Sequence, residues 1–121
     1  MEVLFNNFAS GTLLNDILGS DLNITLDVGE GNFFPTPIVG AEYCVCVIED
    51  ISGVKEVVHM VERVGDVLTC VRGQEGTIAQ SYDMGSRIEL RATAGFFEEF
   101  VDAGTYSWVL QSSFLIKGLA F

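Results

Sequence analysis

The chain is predicted to be mainly β: a small antiparallel β-sandwich or barrel-like domain with one short helix and extended terminal arms. Three observations predict it. Strand-length runs carry apolar residues either at every second position or continuously, and tight glycine-bearing turns separate them. Hydrophobic residues make up 49% of the 121, enough for a genuine core, so disorder of the body is not expected. The division expected is an N-terminal arm over 1–20, a β domain over 21–101 and an apolar C-terminal arm over 102–121.

In the first 20 residues, apolar Val3, Leu4, Phe5, Phe8, Leu13, Leu14, Ile17 and Leu18 are interrupted by Asn6, Asn7, Ser10 and Gly11. That mixture predicts an extended arm with a short turn or helical piece near 13–18. Residues 21–28 alternate strictly, Leu22, Ile24, Leu26 and Val28 against Asp21, Asn23, Thr25 and Asp27, so a strand with one wet face is expected. Residues 29–40 hold three glycines and both prolines, and read as a loop with Phe33 and Phe34 tucked inward. The continuous apolar run of 43–48 predicts a central strand buried on both faces.

Residues 57–64 and 67–71 are strand-like runs joined by Gly65-Asp66, which is a hairpin signature because glycine takes positive φ without strain. The segment Arg72-Gly73-Gln74-Glu75-Gly76-Thr77 reads as a structural loop, with Arg72 and Glu75 paired across a turn. It lacks the lysine and the following helix of a phosphate loop. Residues 85–92 return as a strand, with Ile88, Leu90 and Ala92 on one face and Arg87, Glu89 and Arg91 on the other. Thr93 is placed to cap a helix with a stripe of Phe96, Phe97, Phe100 and Val101, and with Glu98 and Glu99 towards solvent.

Acidic residues outnumber basic ones 17 to 6, a net charge of -11, which repels a nucleic-acid backbone. The cysteines number three, and Cys44 and Cys46 share one face of a strand without a Cys-x-x-Cys turn. Buried thiols in a reducing cytoplasm are expected, and a zinc site is not, given one histidine. Signal-peptide features are missing from the N-terminus, and nothing approaches the roughly 20 apolar residues of a membrane span.

His59 lies in an apolar strand and reads as a half-buried strand residue rather than a general base. Glu98 and Glu99 point different ways on a helix, unlike a catalytic pair. Residues 27–32 offer oxygen ligands without the spacing of a calcium loop. No cofactor is implied. Phe33, Phe34, Phe96, Phe97 and Phe100 are assigned to the core, whereas Phe5, Phe8, Trp108, Phe114 and Phe121 lie in the terminal arms and are candidate intersubunit anchors.

Several of these pieces occur in an order that resembles a module of tailed-bacteriophage structural proteins, often found at the N-terminal end of tail-fibre and other appendage proteins. In that family a hairpin ends in "LTVxRGQEGT" and is followed by "GxxVELRxTAG"; here the strings are "LTCVRGQEGT" and "GSRIELRATAG". The opening "LFNNFASGTL" resembles the family's "LFxNNAxTTL", and "NFFPTP" its "FPTP" segment. The similarity spans roughly the first 100 residues, and residues 102–121 fall outside it.

The resemblance implies a non-enzymatic virion component, made in the host bacterial cytoplasm, that anchors a tail or head appendage by subunit docking. Expected partners are other virion proteins, namely capsid, portal-tail or fibre subunits, together with further copies of itself in a homo-oligomer, a trimer being one candidate. Neither nucleic acid nor membrane is an expected partner. The short length raises a second reading, a capsid decoration protein in many copies. A third, a small enzyme acting on host envelope material, is disfavoured by the missing catalytic constellation. The apolar C-terminal arm is expected to add a strand to its own sheet or to fill a groove on a neighbour.

Overall fold

The computed structural model describes residues 2–95, 97 and 98. Seven strands form it: β1 (Glu2–Val3), β2 (Ser10–Thr12), β3 (Asn23–Thr25), β4 (Glu42–Glu49), β5 (Lys55–Val64), β6 (Val67–Gln74) and β7 (Arg87–Leu90), with a single 3-10 turn at Glu30–Phe33. The strand order is β2-β7-β4-β5-β6-β3, with β1 running parallel to the start of β4 and every other pairing antiparallel. The sheet curls until its end strands meet: Leu13 bridges Leu26, the Leu14 N–H donates to Thr25 O at 2.8 Å, and the Asp27 N–H to Thr12 O at 3.0 Å. A small, mainly β, barrel-like domain is the result, as the alternation predicts.

The strand β4 is buried from Tyr43 through Ile48, as its unbroken apolar run requires. Cys44, Cys46 and Ile48 face the same core as Val58, Met60, Leu68, Cys70 and Ile88. Strands β5 and β6 form the hairpin, Val64 pairing with Val67 across Gly65-Asp66. Gly65 has φ 60°, a positive φ at the first central position that matches the primed turn of a two-residue loop.

Residues 2–12 are not a separate arm. The carbonyls of Ala41 and Tyr43 accept the N–H groups of Glu2 and Leu4, and that of Val45 accepts the N–H of Arg91, so β1 prolongs the line of β7 along one edge of β4. The next strand, β2, then covers the outer edge of β7 through Gly11 and Ile88. An uncovered edge would leave a row of unpaired backbone groups, and the N-terminal residues close it. Leu13 and Ile17 enter the core. They do so from bends and isolated bridges, not from a helical piece.

Three further expectations need correction. Strand β3 covers only Asn23–Thr25; the chain turns after Leu26, and both Leu22, before the strand, and Val28, in the turn, are exposed. The loop over 29–40 contains the 3-10 turn, and it buries Phe34 while turning Phe33 outward. Arg72, Gly73 and Gln74 belong to β6 and not to a loop. Val57 pairs with Gln74 and His59 with Val71, so β6 carries one extra residue there, a bulge that Gly73 accommodates at φ 62°.

By compactness, Met1–Arg91 forms one unit and Ala92–Phe121 a second. In the second, residues 94–95 and 97–98 are helical, and the Phe97 N–H donates to Thr93 O at 3.1 Å, the bond by which an N-cap residue starts a helix. Phe96, Glu99, Phe100, Val101 and the arm over 102–121 lie outside the described residues.

Candidate functional site

Residues Glu56, Val58 and Met60 of β5 all point inward, so the alternation of the strand places a carboxylate in an apolar layer. Left alone, such a charge is very costly. The residue that satisfies it is Arg72: its Nε donates to Glu56 Oε2 at 2.8 Å and its Nη2 to Oε1 at 2.9 Å. Side-chain exposure is 0% for Glu56 and 4% for Arg72. The remaining guanidinium hydrogens go to backbone carbonyls, Nη1 to Leu18 O at 2.9 Å and Asp21 O at 2.7 Å, and Nη2 to Gln80 O at 2.6 Å. All five donors of the planar group are thus engaged. Glu56 also accepts the N–H of Gly73 at 2.8 Å and of Gln80 at 3.1 Å.

The expected Arg72–Glu75 pair is therefore replaced by Arg72–Glu56. Glu75 stands exposed in left-handed backbone, φ 53°. The physical reason is burial: a carboxylate in the core gains far more from the guanidinium than one at a wet turn. The rest of the motif remains structural, since the Thr77 hydroxyl donates to Gln74 O at 2.6 Å and accepts the Val57 N–H at 3.0 Å.

A second lock sits at the hairpin tip. Asp66 accepts the Gly31 N–H on Oδ1 at 2.8 Å and the Gly29 N–H on Oδ2 at 3.0 Å. These bonds, Gly29 first and then Gly31, hold its carboxyl below the usual range. Arg63 reaches from the same tip to Thr36 Oγ1 at 2.8 Å and Gly65 O at 2.8 Å. The hairpin thereby fixes the segment 29–36, and with it the direction of Phe33.

Phe33, 54% exposed, belongs to an aromatic edge. Its carbonyl accepts the Asn6 side-chain N–H at 2.7 Å, which brings the segment of Phe5 and Phe8 alongside. Phe5 is 46% exposed. Phe8 is 95% exposed and held at φ 63°, a left-handed conformation that costs a residue with a side chain about 1–2 kcal/mol. Ile38 and Val39, also exposed, stand in the turn whose Ala41 carbonyl accepts the Glu2 N–H. Of the anchors the sequence suggests, Phe5 and Phe8 share this edge, while Trp108, Phe114 and Phe121 lie outside the described residues.

Elsewhere the charges bind one another. Arg91 contacts Glu49 at 3.1 Å and Glu89 at 2.9 Å, Arg87 contacts Glu89 at 2.9 Å, and Lys55 contacts Glu49 at 3.6 Å. Glu49, Arg87, Glu89 and Arg91 line a surface cleft with Asp50, Ile51 and Ser86. His59 is half-buried, its ring centroid 4.6 Å from that of Tyr43. Among the described residues no three His, Cys, Asp or Glu side chains gather as metal ligands would, and no helix is long and apolar enough to cross a membrane. Cys44, Cys46 and Cys70 are buried free thiols, and burial pushes Cys44 and Cys70 up to about 12.

Sequence reasoning missed Glu56, Asp66 and Phe33. For Glu56 a signal was present, its place in register with Val58 and Met60. For the other two, the partners lie about 35 and 27 positions away, and local pattern carries no trace of them.

No protein-family model matches this chain, and no curated protein matches it.

Proposed function

We propose that this chain is a non-enzymatic structural protein of a tailed-bacteriophage virion, an anchoring module for a tail or head appendage that works by docking against neighbouring subunits. The observation that carries the reading is Phe8, a phenylalanine almost wholly in solvent and in strained backbone, beside exposed Phe5 and Phe33. An aromatic side chain held in solvent at the cost of left-handed backbone suits the centre of an interface. The motif order supports the phage assignment, because the strings that resemble the appendage module fall on parts that lock this shape, Arg72 and the end of β6, β7, and β2.

The test is copy number per particle, by quantitative mass spectrometry of purified virions normalised to the portal protein. A small count in step with appendage symmetry is expected. Hundreds of copies would mean capsid decoration instead, and absence from particles removes the virion reading.

A further inference from the structure

We propose that β1 is an exchangeable strand: in an oligomer of this chain, residues 2–8 straighten at Phe8 and β1 pairs with β4 of a second copy instead of its own. The inference deepens the docking reading above and rests on it only in that a neighbouring subunit is the partner. It does not depend on which particle is involved.

Direction is the first observation. Strand β1 runs parallel to β4, β7 antiparallel to β4 and β2 antiparallel to β7, so β1 and β2 point the same way. They are not collinear. Strand β1 takes the edge of β4 at Glu42 and Tyr43, β7 takes the same edge from Cys46 onward, and β2 lies one strand further out. The chain therefore sidesteps over residues 4–9, through a turn at Asn7 and Phe8.

The strain of that step is the second. Among the described residues, Phe8 and Glu75 are the only ones other than glycine with positive φ, 63° and 53°. Glu75 lies in a turn that the Thr77 hydroxyl and N–H close onto Gln74 O. Phe8 is 95% exposed, so burial of its ring does not offset the strain. Extended backbone at Phe8 removes it and sets residues 2–12 in one line. Residues 2–8 then project roughly 20 Å past the bond from the Leu90 N–H to Ala9 O, far enough to reach a neighbour.

The acceptor is the third. The edge of β4 that β1 leaves presents the carbonyls of Ala41 and Tyr43, which accept the N–H groups of Glu2 and Leu4. The segment shown to fit that edge is β1 itself. Strand β1 of a second copy restores these bonds and the place of Leu4 against the core. Closed and exchanged forms then share their contacts, and the strain at Phe8 and the protein concentration set the balance between them.

The experiment uses the full chain. Phe8→Gly takes the left-handed turn without strain, whereas Phe8→Pro, with φ locked near about −65°, forbids it. Sedimentation should show dimers in the parent, a dimer constant weakened about tenfold or more by Phe8→Gly, and one tightened by a similar factor by Phe8→Pro. Both variants lack the phenyl ring, so a contact made by the ring would weaken in both. In an otherwise native chain, Glu2→Cys and Glu42→Cys mixed under oxidising conditions should form a disulfide to each other, and neither should link alone. These positions are register partners, and in the mixture they meet only by exchange. The proposal is overturned if the mixed pair does not link, if the two Phe8 variants shift association the same way, or if folded Phe8→Pro stays monomeric. Dimers without the mixed link overturn it in favour of a face-to-face contact. A mixed link in a protein absent from virions would sink the phage assignment alone.

Discussion

Arg72 and Glu56 form a two-pronged ion pair, 2.8 and 2.9 Å, inside the barrel, and three backbone carbonyls and two backbone N–H groups complete it. The pair joins the N-terminal segment at Leu18 and Asp21 to β5, β6 and the chain at Gln80. Removing one partner strands the other charge in an apolar layer. Arg72→Ala should therefore cost about 3–5 kcal/mol, read as a lower urea midpoint at unchanged slope. Replacing both, Arg72→Met with Glu56→Leu, should not restore stability, because the backbone groups they serve lose their partners at about 1–3 kcal/mol each. A double variant as stable as the parent would show that the pair is dispensable.

Gly31 and Gly29 separate steric need from backbone strain. A Cβ on Gly31 would press on the Gly65 carbonyl and lie 2.7 Å from Asp66 Cα, backbone that cannot step aside. Gly31→Ala should cost about 3 kcal/mol or more. Gly29 has φ 87° and open space, so Gly29→Ala should cost only the left-handed strain, about 1–2 kcal/mol. Thermal melts of the two variants give the comparison, and the reverse order would refute the contact.

Asp66 makes stability depend on acid. Its folded-state pKa lies below the ordinary 3.8, because the N–H groups of Gly29 and Gly31 favour the charged form. Its contribution is thus complete above the unfolded pKa and disappears as pH falls through the folded one, below about 3.8. Asp50, held low first by the Ser52 hydroxyl, and Glu89, held low first by Arg87, act in the same direction. Asp66→Asn should reduce stability at neutral pH and make the acid fall-off shallower. An identical pH profile for the variant would exclude the cap.

The cysteines supply a test of the core. With Cys44 and Cys70 raised to about 12 by burial and Cys46 also raised, a thiol reagent at about pH 8 should find none of them in the native protein. In denaturant it should find all three. Rapid labelling under native conditions would mean that β4 opens locally.

Much of this architecture follows from period alone. The apolar run of β4, the Gly65-Asp66 hairpin, and the split of Ile88 from Arg87 and Glu89 in β7 are local properties. A strand's alternation and a glycine's φ need no distant partner to be read. Partners are another matter. That Glu56 and not Glu75 receives Arg72, that Asp66 holds Gly31, that Leu13 meets Leu26 to close the sheet, and that Glu2–Val3 and Ser10–Thr12 serve as strands were decided by tertiary contact. Each joins segments far apart in the chain, and each is set by which buried charge or open edge lies nearest once the sheet has curled. Direction is the remaining case: Phe33 and Phe34 are neighbours with the same side chain, and only the position of the hairpin tip sends one into the core and the other into solvent.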